Sequence, residues 1–349
     1  MVAIALLTLV PGKLGGSETY VRELLRGLAR SGTLGYRVLV PPVAEDAGGG
    51  LETSVARSYR SAHSIPERLA AMAFAAARPA ELRALLAGAD AVHYPLTIRI
   101  PSGLSPSVVT LHDVQHLDLP RMFPRAELLF RAAAWRPSLR GADRVVVPSA
   151  FVRERAVAAA HLDPGLIRVV HSGIDHARFH PVTVEREPFL LYPARAWPHK
   201  NHRRLLEAFT QLRRERPELR LVLTGGGEHG RLPDGVEARG RVGDGELVDL
   251  YRRASALVFP SLYEGFGQPP LEAMACGCPV ACSNAAALPE IVGDAARLFD
   301  PRDPSAIVDA VRDVLAAPEE WARRGLEHAA RYSWDATARA TEDVYRELL

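Results

Sequence analysis

The sequence predicts an α/β protein built as two doubly wound domains, and three observations carry that expectation. Short apolar runs rich in Val, Leu and Ala alternate with segments of helical period. The alternation occurs twice, on either side of a Pro- and Glu-containing stretch at Pro181–Pro188. At 349 residues the chain is long for one core and comfortable for two. Such alternation builds parallel sheets with helices on both faces.

In the first half, strands are expected at Val2–Val10, Tyr36–Val40, Ala89–His93, Ser107–Leu111, Arg144–Val147 and Ile167–Val170. The run from Met1 to Val10 is too short to span a bilayer and no basic residue precedes it, so it reads as a buried strand, not a signal peptide. The next helix reads from Tyr20, Val21, Leu24, Leu25 and Leu28, with Ser17 as its N-cap. Ala44–Leu51 contains three consecutive glycines and reads as a mobile loop. In the second half, strands are expected at Phe189–Tyr192, Arg220–Leu223, Val236–Arg239, Ala256–Phe259, Val280–Cys282 and Arg297–Phe299, with a helix at Leu205–Arg216. After Tyr332-Ser333-Trp334-Asp335 a helical run reaches Leu349 and is expected to pack across both domains. The expected division is 1–180, 181–331 and a returning helix over 332–349. Ligands of doubly wound sheets bind outside the carboxyl ends of the strands, so two such domains would face each other across a cleft.

Apolar content is 48%, charge is 24% and net charge is +2, which implies no nucleic-acid partner. The sign is split: residues 1–178 hold 21 Lys/Arg and 15 Asp/Glu, the remainder 22 and 26. A basic first half can attract an anionic acceptor or membrane surface. Residues 121–140 carry five arginines and one acid, Glu127, beside Leu128, Leu129, Phe130, Trp135 and Leu139. That run could dock peripherally on the inner membrane face; its commoner reading is an ordinary helix with its apolar face in the core. The three cysteines, Cys276, Cys278 and Cys282, cluster in what reads as helix end, turn and buried strand. They suit small hydrophobes in a reducing, cytoplasmic setting better than a disulfide or zinc site.

Two clusters carry chemistry. Glu264 and Glu272 bracket Gly265-Phe266-Gly267-Gln268-Pro269-Pro270-Leu271, a loop that runs into a helix start after the strand Ala256–Phe259. Loop N–H groups and the helix dipole there would favour an anion. Alone, the pattern could be no more than a capped helix start. The second cluster, Arg195-Ala196-Trp197-Pro198-His199-Lys200-Asn201, follows the strand Phe189–Tyr192. Only Lys13 and Lys200 are lysines among 43 Lys and Arg. A compact ammonium suits a point contact with phosphate; a solvated first-turn lysine is the plain alternative.

Together these residues resemble the retaining nucleotide-sugar glycosyltransferases of the GT-B fold, glycosyltransferase family 4. The likeness covers essentially the whole chain. It rests on Gly15-Gly16-Ser17-Glu18, His112-Asp113, Val147-Pro148-Ser149 and His171-Ser172-Gly173-Ile174-Asp175 in the first half. In that turn His-Ser stands where the family usually has Pro-Asn. The second half adds Arg195 with Lys200, Gly225-Gly226-Gly227-Glu228, the paired glutamates, and Tyr-Ser-Trp before the last helix. The resemblance implies two Rossmann-like domains, an acceptor-binding one and then a donor-binding one. It implies that Arg195 and Lys200 contact the donor diphosphate, and that Phe266, Gly267 and Gln268 offer backbone N–H groups. Glu264 would hold hexose hydroxyls and Glu272 the ribose diol. Gly16 would let the first domain's backbone approach the diphosphate, Gly15 and Gly225 would be further donor-binding positions, and His112 would lie over the hexose. Val242 would meet the nucleobase.

The implied reaction moves a hexose from a GDP- or UDP-linked donor, such as GDP-mannose or a UDP-hexose, to a hydroxyl of a glycan, lipid-linked or small-molecule acceptor. His112, Arg195, Lys200 and Glu264 are the catalytic candidates. No Asp-x-Asp metal anchor is present, and no obligatory metal or other cofactor is expected. Other readings remain open: a nucleotide-sugar epimerase, a glycan phosphorylase, or a non-catalytic sugar-nucleotide-binding protein. Fold likeness alone proves no activity.

Overall fold

The computed structural model describes every residue except 60–63, 78, 105 and 229. The chain folds as two compact units, Met1–Gly173 with Trp334–Leu349, and Ile174–Ser333. The first crossover thus precedes the expected 180/181 division. Residues 174–180 join the second unit through an Ile174–Ser333 bridge and a hydrogen bond from Arg252 to the His180 carbonyl.

In the first unit, β1 (Val2–Ala5), β2 (Tyr36–Val40), β3 (Glu52–Val55), β4 (Ala91–Tyr94), β5 (Ser107–Thr110), β6 (Arg144–Val147) and β7 (Ile167–Val169) form one parallel sheet. Its strand order is β3-β2-β1-β4-β5-β6-β7. The helices are α1 (Gly16–Ser31), α2 (Ile65–Ala77), α3 (Pro79–Ala84), α4 (Gln115–Asp118), α5 (Arg125–Arg140) and α6 (Ala150–Ala160). In the second unit, β8 (Glu187–Pro193), β9 (Arg220–Thr224), β10 (Val236–Ala238), β11 (Ala254–Phe259), β12 (Val280–Ser283) and β13 (Arg297–Phe299) form a second parallel sheet, ordered β10-β9-β8-β11-β12-β13. Its helices are α7 (His202–Glu215), α8 (Asp244–Arg253), α9 (Gln268–Ala275), α10 (Leu288–Val292), α11 (Pro304–Ala316) and α12 (Pro318–Ala329); α13 (Trp334–Arg346) returns to the first unit.

Side-chain alternation along β1 builds both faces of the first core. Ala3 and Ala5 enter one apolar cluster with Leu139, Val152 and Ala156; Val2 and Ile4 enter the other with α1 and α13. The α1–α13 approach is close, because a Cβ on Gly27 would stand 2.7 Å from the Trp334 carbonyl oxygen. Two polar groups lock α13 in place. His93 hydrogen-bonds Tyr345 at 2.7 Å and Thr110 at 2.8 Å, and burial lowers its pKa to about 3, so it is neutral. Glu342, only 1% exposed, accepts from the Thr33 N–H and the Tyr36 hydroxyl and pairs with Arg346.

Four local expectations need correction. The first strand ends at Ala5, and Leu6, Leu7 and Leu9 continue as a buried turn closed by Leu9 N–H to the Leu6 carbonyl at 2.8 Å. Ser17 does not cap α1. Gly15 holds the N-cap position at φ 57° and ψ −129°, with no side-chain cap. The expected loop at Ala44–Leu51 is largely a 3-10 helix, Pro42–Gly48, with Ala44 and Ala47 buried. The edge strand β3 escaped the apolar criterion because Glu52 and Thr53 face solvent.

Candidate active site

Each sheet reverses its strand order once, between β1 and β4 and between β8 and β11. Ligands of doubly wound folds bind at the carboxyl ends beside that reversal. In the second unit those ends lead into Ala194–Asn201, after β8, and Pro260–Gly267, after β11.

The segment carrying Lys200 is clamped by neutral hydrogen bonds. Pro198–Lys200 form one 3-10 turn and Asn201 follows at φ 61°, a left-handed conformation that Asn tolerates. Asn201 Nδ2 donates to the carbonyls of Pro260, 3.1 Å, and Pro301, 2.7 Å. The buried Tyr192 hydroxyl donates to the Lys200 carbonyl at 2.6 Å. Lys200 Nζ donates to Glu264 Oε1 at 2.5 Å, and each of these side chains is 15% exposed. The Arg195 guanidinium lies 5.5 Å from the centre of the Trp197 ring.

Gly225 explains why Arg195 can sit beside the β9 loop. It has φ 100°, and a Cβ there would stand 2.7 Å from the Ala194 carbonyl carbon. Its N–H donates to the Gly240 carbonyl at 2.7 Å, while Ala196 N–H donates to the Gly226 carbonyl at 3.0 Å. Val242 lies between β10 and α8.

Glu264 opens the loop before α9. Gly267 takes φ 113°, and a Cβ there would meet Leu288 Cδ2 at 2.7 Å. Gly267 is the N-cap of α9 and supplies no side chain; Pro269 and Pro270 supply no N–H. The first turn Gln268–Leu271 therefore has at most two N–H donors, fewer than an ordinary helix start. Phe266 is buried with its ring edge against Tyr332. One turn on, Glu272 accepts from the Tyr251 hydroxyl at 3.0 Å. Burial raises the Glu272 carboxyl to about 7, against the opposing pull of that hydrogen bond and of Arg178. Tyr251 is wholly buried and meets Phe179 edge-on.

The first unit places its candidates at its own carboxyl edge. Gly15 and Gly16 open α1, and a Cβ on either would meet nothing within 4 Å. Positive φ accounts for glycine at Gly15 but not at Gly16. Glu18 steadies this entry by accepting from Gly12 N–H at 2.7 Å and pairing with Arg22. His112 follows β5. Its Nε2–H donates to the Pro95 carbonyl at 2.8 Å and its ring meets Tyr20 edge-on at 5.0 Å. Burial lowers its pKa, which favours the neutral ring with Nδ1 as acceptor. Asp113 instead makes a local turn, accepting from Gln115 N–H at 3.0 Å.

Within the second unit the structure thus brings Lys200 and Glu264 into contact and gives Glu272 its own partner. Sequence reasoning missed Tyr192, Asn201 and Tyr251, which hold these groups. Asn201 carried a signal, an Asn directly before a helical run; the two tyrosines carried none. The cysteines are buried and free, with the Cys276 and Cys278 thiols pushed up to about 12 by burial.

Two family models divide the chain: Glycosyltransferase Family 4 matches residues 14–178, and Glycosyl transferases group 1 matches residues 174–331. O-antigen chain mannosyltransferase B of Escherichia coli is 30% identical over 286 residues, covering 74% of this chain and 75% of that protein. The chain belongs to glycosyltransferase family 4. D-inositol 3-phosphate glycosyltransferase of Streptomyces scabiei is 32% identical over 59% of this chain, and the match spans 54% of that longer protein. Among solved structures, sucrose-phosphate synthase of Thermosynechococcus elongatus superposes with a TM-score of 0.79 at 22% identity, covering 99% of this chain and 98% of that one. Anabaena HepE in complex with UDP-glucose gives 0.72 at 17% identity, with 99% of both chains covered. At these identities the likeness is one of fold, and the fold of this family-4 glycosyltransferase is GT-B. Among the described residues no helix is long and apolar enough to cross a membrane.

Proposed function

We propose that this family-4 glycosyltransferase is a retaining hexosyltransferase that uses a GDP- or UDP-linked hexose, with Ile174–Ser333 as its donor-binding unit. The observation that carries the reading is the placement of the Lys200–Glu264 pair beside the strand-order reversal of the second sheet, with Glu272 in the helix α9 that follows. Arg195 and Lys200 would take the diphosphate, Glu264 the hexose hydroxyls, and Glu272 the ribose diol. Loop N–H groups of Phe266, Gly267 and Gln268 would add to the phosphate contacts, and Val242 would border the base. Gly225 would keep the facing loop close. His112, with Nδ1 as acceptor, would take a hexose hydroxyl, and Gly15 and Gly16 would admit the diphosphate to the first unit's backbone.

In the reaction the acceptor oxygen bonds to the anomeric carbon while the bond from that carbon to phosphate breaks. The acceptor proton passes to the departing phosphate oxygen. Positive charge grows on the sugar ring and negative charge on the leaving group. Fixed cations at the diphosphate stabilise that separation, and losing one such contact costs roughly 2.7–4 kcal/mol. No obligatory metal is part of this reading, and the acceptor would be a glycan, lipid-linked or small-molecule hydroxyl. A panel of GDP- and UDP-hexoses tests the reading. One donor should raise the melting temperature and give a glycosylated product, and stabilisation by none would refute it.

A further inference from the structure

The first unit contains a partly open pocket of about 270 Å³ between α4, α5 and α6, lined by residues of that unit. It is well above the ~150 Å³ that accommodates benzene in an apolar protein interior. Leu128, Trp135, Leu139 and Leu162 give it apolar walls. Three further observations say what it takes.

His116 lines the cavity, is 7% exposed, and its Nδ1 has no hydrogen-bond partner among the described residues. A buried polar atom left unpaired costs about 1–3 kcal/mol, so natural sites rarely keep one without a ligand or water. Arg131 stands beside it: both groups meet the Trp135 ring, at 5.0 Å for His116 and 4.4 Å for Arg131. Arg136 and Arg140 also line the cavity, are exposed, and have no ion-pair partner among the described residues. Against these three cations stand Glu127, paired with Arg131 at 2.8 Å, and two carboxylates that act on His116, Asp113 and Asp118, the latter paired with Arg155.

We infer that this cavity binds an amphiphile with a single apolar chain and an anionic head group. The chain lies against Leu128, Trp135 and Leu139. The head accepts a hydrogen bond from His116 Nδ1 in its N–H form and is held by the arginines. Leu111 and Val114 connect the cavity to the segment that carries His112, so the ligand sits directly behind that segment. The inference deepens the acceptor part of the proposed function and rests on it only for the ligand's role. Its readout is binding, which is independent of transfer.

The probe is decyl phosphate, titrated calorimetrically into the full chain below its micelle concentration. Saturable one-to-one binding is expected, at least tenfold weaker for decyl maltoside and absent for inorganic phosphate. His116→Phe should weaken it at least tenfold, because the ring shape stays and the donor goes. Ala160→Trp and Ala132→Trp should abolish it by filling the space, while nucleotide still raises the melting temperature of both variants. Inhibition competitive with acceptor would identify the chain as part of the acceptor, and binding without competition a lipid effector; either result keeps the site. No saturable binding, equal binding of decyl maltoside, or unchanged binding in both tryptophan variants would overturn the inference. So would phosphatidylglycerol vesicles that bind Ala160→Trp as well as wild type while decyl phosphate binds neither.

Discussion

Glu272→Gln separates a carboxylate kept for a ligand from one kept for stability. Burial moves the Glu272 carboxyl from its ordinary 4.5 to about 7. At 1.36 kcal/mol per tenfold change in proton affinity, the ionised side chain destabilises the unliganded fold by about 3 kcal/mol. Between pH 4.5 and 7 the native state holds a proton that the unfolded chain has lost. Stability therefore falls as pH rises through that window, and the full loss is present above about pH 7. Gln keeps an oxygen for the Tyr251 hydroxyl but carries no charge. Glu272→Gln should therefore stabilise the unliganded protein by about 1 kcal/mol at about pH 5 and about 3 kcal/mol at about pH 8.5. For a unit of this size, each kcal/mol is roughly 2–4 °C in Tm. Differential scanning fluorimetry at the two pH values measures the difference. Nucleotide affinity should move the other way: wild-type binding strengthens as pH rises to about 7, while the Gln variant binds weakly and without that dependence. A variant whose Tm gain is equal at both pH values, or that is less stable at the higher one, would refute the reasoning.

Lys200→Ala should lower turnover at least tenfold with the fold intact by circular dichroism, and Lys200→Arg should rescue poorly because the guanidinium fork is bulkier; full activity in Lys200→Ala would remove Lys200 from the mechanism. Glu264→Ala should leave nucleoside diphosphate affinity within about threefold while Lys200→Ala weakens it at least tenfold, since Glu264 is assigned to the sugar; equal losses by calorimetry would cancel the division of labour. Proton NMR of the product should show the donor's α configuration retained, and a β linkage from an α donor would overturn the retaining reading. Glu342→Leu leaves the Thr33 N–H and the Tyr36 hydroxyl without their acceptor, while the half-exposed Arg346 keeps Asp343, so urea unfolding should show a loss of about 1–3 kcal/mol; an unchanged unfolding free energy would show that Glu342 does not hold α13.

Strands are legible where burial on both faces makes them continuously apolar, as in Val145–Val147 of β6 and in β11 and β12; edge strand β3 is not, because one-sided pairing lets Glu52 and Thr53 remain polar. Helix starts are obscured where glycine replaces a side-chain cap. Gly15 adopts a backbone conformation open mainly to glycine, so the expected Ser17 cap has no role to fill. Lys200 and the two glutamates stand out by rarity and spacing. Their partners do not, because a buried tyrosine in a strand or a helix looks like core until its hydroxyl is placed. Tyr192 and Tyr251 are 0% exposed, and each spends its hydroxyl on the site, one on the Lys200 carbonyl and one on Glu272.

The two glutamates, eight positions apart in sequence, meet opposite electrostatic surroundings. Glu264 touches an ammonium at 2.5 Å, whereas Glu272 touches a phenol at 3.0 Å. A carboxylate against a cation is already compensated, and an arriving anion competes with it for that cation. Diphosphate reaching Lys200 would therefore loosen Glu264 toward whatever hydroxyls come with it. Glu272 has a neutral donor in contact instead, so its ionised form gains most from a diol that can donate two hydrogen bonds. On the proposed assignment, a donor carrying diphosphate, hexose and ribose together would supply what each group lacks. Such a coupling would also make arginine a poor substitute at position 200 despite its abundance elsewhere in the chain. Its planar fork favours a fixed bidentate grip on the carboxylate, which would hold Glu264 when the sugar needs it released.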